Sequence, residues 1–180
     1  MAVIGFLRFI GIMNAAVWLG TAIFFTFGAE PACLSADMKN ALGIGAGESY
    51  FPGAIEMVVM SRYYHVALAC GVVALLHLLL EWLYMGRPHR KFAFGLIAGM
   101  FLLTFFASNA IQPKLAELNK QRYRAQAQAD RDRAARSFHI LNVTRHVFQA
   151  LIIGGLVVYV WRVANPSDTL RFLGPVKLRS

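Results

Sequence analysis

"FHILNVTRHVFQALIIGGLVVYVW", residues 138–161, decides how this chain is read. A helix of about 20 mainly apolar residues crosses the hydrocarbon core of a bilayer, and this stretch is long enough. Its second half is apolar almost throughout. Its first half carries His139, Asn142, Arg145, His146 and Gln149, which hydrocarbon cannot solvate and which are costly there when unpaired. A helix of this kind needs a bundle to point its polar groups into.

The rest of the chain supplies one. Hydrophobic residues make up 58% of it and aromatic residues 13%, more apolar than a soluble domain of this length. Windows at about 3–28, 62–85, 92–112 and 138–163 each meet the spanning length. The first runs on well past the roughly 7 to 15 apolar residues of a cleavable signal, so it reads as a retained helix. The expected fold is an all-α, integral membrane four-helix bundle over residues 1–165, with an irregular tail at 166–180.

The connections differ in kind. "AEPACLSADMKNALGIGAGESYFPGAIEMVV", 29–59, is the most acidic part of the chain and reads as a loop followed by a short interfacial helix near 53–60. "GRPHRK", 86–91, is short enough to make spans two and three antiparallel neighbours. "PKLAELNKQRYRAQAQADRDRAARS", 113–137, is polar on all sides and lacks glycine. It reads as a solvent-exposed helix extending the third or fourth span.

The formal net charge is +9. In so apolar a chain it indicates juxtamembrane Lys and Arg facing anionic headgroups, not nucleic acid, for which no basic groove or aromatic platform is recognisable. Basic residues are divided almost evenly between the two sides. The compact basic "GRPHRK" favours a cytoplasmic turn, and with it both termini cytoplasmic. The implied partners are the lipid bilayer and other membrane subunits or a second copy of the chain.

Small residues four apart, Gly11 with Ala15, Ala16 with Gly20 and Gly95 with Gly99, are where helix backbones could approach closely. Trp82, Tyr84, Tyr159 and Trp161 are candidates for an interfacial belt, whereas Trp18 sits deeper.

On a helical wheel His139, Asn142, His146, Gln149 and Ile153 share an arc of about 80°. That arc is expected to face inward, with Arg145 at its edge, snorkelling to the headgroups or paired inside. His65 and Arg62 at the start of span two, and Asn109 and Gln112 at the end of span three, lie at the same depth. Together they outline a polar vestibule on one side of the membrane. Haem b between helices would take two axial histidines at similar depth, His65 with His146 or His139. Copper would accept His with Met57, Met60 or Cys70.

On this reading the ligand candidates are His65, His139 and His146, with His65 and His146 as the metal pair. Asn142, Arg145 and Gln149 would orient the ligands or hold propionates. The bland alternative is that these groups bond each other and interfacial water. His77 and Glu81, four residues apart, form a second polar pair whose carboxylate could fix the imidazole tautomer. "GIGAGES", 43–49, follows no strand and opens no Lys-bearing helix, so it is not a phosphate loop.

Four stretches together carry a resemblance. They are "AVWLGTAIFFTFGAEPA" (16–32), "YFPGAIEMVVMSRYY" (50–64), "FFASNAIQPKLAEL" (105–118) and "FHILNVTRHVFQALII" (138–153). In order and spacing the chain resembles a bacterial four-span family of unknown function related to transmembrane protein 205, and more distantly the copper-resistance D type of membrane protein. In that family the last helix begins with a His, matched by His139; Asn142 and His146 stand where the family has a Ser and an Asn. The resemblance implies a four-helix fold in a bacterial inner membrane and keeps a haem or copper site as a hypothesis.

The expected function is therefore an integral membrane protein with a His-lined vestibule binding haem b or a metal ion, for electron transfer or metal handling. The alternatives are a small-solute or proton-coupled transporter and a non-catalytic accessory subunit.

Overall fold

Inside a bilayer the backbone can hydrogen-bond only with itself, and a chain with these apolar runs answers with helices. The computed structural model describes residues 2–43, 50–85 and 91–164. Its elements are α1 (Ala2–Ile23), a π-helical turn (Phe24–Ala29), α2 (Glu30–Leu34), α3 (Ala36–Ala41), α4 (Tyr50–Met85), α5 (Lys91–Phe106), a second π-helical turn (Ala107–Ile111), α6 (Gln112–Arg124) and α7 (Gln128–Ala164). Four of the resulting helical runs, Phe9–Leu34, Tyr50–Leu83, Phe92–Arg124 and Gln128–Arg162, are long and apolar enough to cross a membrane. The protein is an all-α integral membrane bundle.

The four long helices close into a ring. α1 packs on α4 and α7, and α5 on the same two helices from the other side, the up-down-up-down arrangement that short connections favour. The centre is filled by Trp18, Tyr63, Ala67, Ile97, Met100, Ile152 and Leu156. At one end the helices run on past this core. There α6 and the first half of α7 form a hairpin that, with α2, packs over the start of α4 as a helical cap.

Several expectations change here. The interfacial helix near 53–60 and the span from 62 are one helix, Tyr50–Met85. Pro52 and Gly53 fall in its first turn, where a missing N–H breaks no helical bond. The third connection does extend the spans as largely exposed helix, α6 continuing the third and the start of α7 the fourth. α6 and α7 pack together, burying Leu115, Asn119 and Ala134, and the turn between them begins at Ala125, which is extended. Residues 86–90 of the "GRPHRK" connection and the tail at 166–180 lie outside the described residues.

Of the small-residue pairs only Gly11 with Ala15 lies at a helix contact. A Cβ at Gly11 would come 2.6 Å from Cε1 of His77, whereas Gly20, Gly95 and Gly99 face nothing within 4 Å. Close approach occurs instead at Gly53 against Asn119, Gly71 against Phe101 and Gly155 against Met100. Trp82 and Trp161 are exposed as belt residues should be, but Tyr159 is buried, and Trp18 is fully enclosed.

Two π-helical turns set the polar groups of the cap. They occupy equivalent places, "FFTFGAEP" (24–31) at the end of the first span and "FFASNAIQP" (105–113) at the end of the third. In each a pair of phenylalanines leads to a buried Glu or Gln followed by Pro. A proline cannot donate to the carbonyl four residues back and crowds it, and widening the turn relieves that conflict. The N–H of Glu30 donates to Phe25 O and that of Gln112 to Ala107 O, both five residues back.

The widening also rotates the residues beyond each turn. Ala22 and Thr104 point into the core, and the residue eight later lies about 80° off that face in a regular helix. One residue taken up in a π turn sets the chain back by about 100°. Glu30 and Gln112 are thereby returned to the inside.

Candidate functional site: a buried ion triad beneath the cap

The inward face of α7 carries Arg145, Gln149, Ile152, Leu156 and Tyr159, all buried. It is rotated by about 80° from the arc of His139, Asn142, His146 and Gln149 that the sequence suggests. Arg145 does not snorkel. Its side chain is 1% exposed, against 8% for Glu30 and 5% for Glu56.

One guanidinium nitrogen holds both acids. Nη2 of Arg145 donates to Oε1 of Glu30, and to Oε1 of Glu56 across 2.7 Å. Glu30 comes from α2, just after the first π turn, and Glu56 from the second turn of α4. Arg145 therefore ties α7 to the end of the first span and the start of the second. Its Nε and Nη1 are buried without a hydrogen-bond partner among the described residues.

One turn deeper, Nε2 of Gln149 donates to the Tyr63 hydroxyl at 2.7 Å. On the neighbouring side Nε2 of Gln112 donates to Met57 O at 2.8 Å. Beyond Tyr63 the core is mainly apolar down to Asn14, whose amide donates to Cys70 O at 2.9 Å. The site is thus closed on its membrane side and lies beneath the cap.

The sequence-selected residues are dispersed around this triad. Arg145 and Gln149 belong to it. His146 stands at its rim, with a side chain 46% exposed and Nε2 3.4 Å from Glu30 Oε1; the same nitrogen lies 3.3 Å from Asn142 Nδ2. His65 is exposed and its Nδ1 bonds Ser61 O of its own helix at 2.6 Å. His139 is exposed as well. The histidines therefore do not face one another across the bundle, and no group of three or more His, Cys, Asp or Glu among the described residues is placed to hold a metal ion. His77 and Glu81 are buried together at the other end of α4, where the His77 ring seats against Gly11.

Sequence reasoning misses Glu30 and Glu56, assigning both to a connection outside the membrane. The available signal is a lone acid inside apolar residues, in "GAEPACL" and again in "AIEMVV", on the same membrane side as an arginine that must be paired if it is buried.

Comparison with known proteins bears on the fold more than on this chemistry. No curated protein and no solved structure matches the chain, so the likenesses to transmembrane protein 205 and to the copper-resistance D type gain no support. A family model does match, over residues 13–124. The matched stretch includes Glu30, Glu56 and both π turns, and ends before the helix that supplies Arg145 and Gln149. The chain belongs to the family defined by the domain of unknown function DUF4149.

Proposed function

We propose that this integral membrane protein is proton-coupled, and that the Glu30–Arg145–Glu56 triad holds one exchangeable proton. The observation that carries this reading is the ratio of charges: two carboxylates share one guanidinium nitrogen, and all three side chains are more than nine-tenths buried. With both acids ionised the group has a net charge of −1. An uncompensated charge in an apolar interior is expensive, and two carboxylates on one site resist being ionised together. A proton on one of them makes the group neutral.

Polar groups kept inside membrane bundles commonly mark proton or ion pathways, and the placement of the triad at a junction of three helical runs suits a site whose charge state alters their packing. The histidines support a haem or metal site less well. His65, His139 and His146 are exposed, and two of them are engaged by residues of their own helices, Ser61 and Asn142.

The test is infrared difference spectroscopy of the purified full chain in detergent, between alkaline and acid buffer. The expected result, at pH values above the range in which exposed carboxylates titrate, is a carboxylic acid carbonyl band equivalent to one proton per chain, lost in Glu30→Gln and in Glu56→Gln, since either change leaves one acid to one guanidinium. A folded wild-type protein with no such band at any pH sinks the proposal, and the triad is then a permanent ionic tie.

A further inference from the structure

We propose that His146, with the Asn142 amide as its two-way partner, carries the proton between the membrane surface and Glu30; this rests on the proton-coupled reading of the triad. His146 bridges two environments: its side chain is 46% exposed, whereas that of Glu30 is 8% exposed, yet Nε2 lies 3.4 Å from Glu30 Oε1. Side chains on a helix lean toward its N-terminus, which for α7 is the cap side, so the ring leans toward the headgroups. The charged groups facing the imidazole are Arg145 on its own helix, Glu30 from α2 and Glu56 from α4. Arg145 is committed to both acids. The imidazole is left as the group that can both reach the surface and exchange a proton.

Asn142 supplies the second, independent observation. Its Nδ2 lies 3.3 Å from His146 Nε2, while its Oδ1 is buried without a hydrogen-bond partner among the described residues. An amide offers a donor on one side and an acceptor on the other. In the arrangement seen, Nδ2 donates to a bare Nε2, the tautomer with its hydrogen on Nδ1. Turned over, the amide would present Oδ1 to an Nε2–H, the other tautomer. Asn142 can therefore support His146 both before and after a proton has passed.

The step balances. The ring starts with hydrogen on Nε2 and takes up a proton from water at Nδ1, becoming imidazolium. The Nε2–H bond then breaks, its electron pair staying on nitrogen, and an O–H bond forms on Glu30 Oε1. The ring is left neutral with hydrogen on Nδ1, and Asn142 Nδ2 donates to the bared Nε2. Unloading reverses each transfer. One proton enters and the net charge of the triad rises from −1 to zero.

The experiment follows the carboxyl band of the full chain in detergent after a rapid pH jump. In His146→Ala the same one-proton band should develop about a hundredfold more slowly, the scale of a positioned acid–base group, and added imidazole should restore the rate. Asn142→Leu, which keeps the imidazole but removes both amide roles, should also slow it. Loading of His146→Ala at the wild-type rate overturns the relay while leaving the triad proposal standing, and so does a slow rate that imidazole fails to restore. Absence of the band in the wild-type protein overturns both.

Discussion

Arg145 and Glu56, 89 positions apart, are joined by a 2.7 Å bond from Nη2 to Oε1 in a part of the bundle where neither side chain is appreciably exposed. The bond fixes which face of α7 looks inward. Had the histidine arc faced the core, the guanidinium would have been carried outward, leaving Glu56 and Glu30 buried with no cation. Removing one partner of such a group costs far more than replacing the whole group by apolar side chains, because the ions left behind stay desolvated.

Arg145→Leu is accordingly expected to destabilise the protein by about 3–5 kcal/mol. Combining it with Glu30→Leu and Glu56→Leu should recover most of that loss, since no buried ion remains. Thermal unfolding in detergent, followed by circular dichroism, compares the two. A triple variant as unstable as the single one would show that the triad is needed for more than charge balance.

Tyr63→Phe removes the acceptor of the Gln149 amide, whose bond to the hydroxyl is 2.7 Å. A buried donor without a partner costs about 1–3 kcal/mol. Adding Gln149→Leu removes the orphaned donor too, so the double variant should lie closer to wild type than the sum of the single changes. A double-mutant cycle measures that coupling, and strict additivity would count against it.

Gly11 and Gly20 sit on the same helix with opposite prospects. A methyl at Gly11 would meet His77 Cε1 at 2.6 Å and Nε2 at 2.8 Å, and one at Gly20 would meet nothing within 4 Å. Gly11→Ala should therefore cost about 1–3 kcal/mol through overpacking, while Gly20→Ala should stay within about 0.5 kcal/mol of wild type. Melting temperatures of the two variants decide it, and equal values would mean that the His77 ring moves aside freely.

His65→Ala and His139→Ala change exposed side chains outside the triad, and each should leave stability within about 0.5 kcal/mol of wild type. The triad's carboxyl band should be intact in both. Loss of the band in His65→Ala would bring that histidine into the proton site despite its bond to Ser61.

The sequence by itself determined that the chain is four apolar helices in a membrane. Backbone groups must be satisfied within each span, so length and hydropathy carry that information locally. It also showed that the first half of the last helix is polar, and it singled out Arg145, Gln149 and His146. What only the tertiary structure decided is the rotation of each helix. That choice depends on partners far away in the chain: Glu30 and Glu56 for Arg145, and Tyr63 for Gln149. A wheel drawn on α7 alone weighs five polar residues equally and centres on the histidines. The actual face is set by the charges that cannot be left unpaired, and by two π turns that swing Glu30 and Gln112 inward from positions a regular helix would turn away.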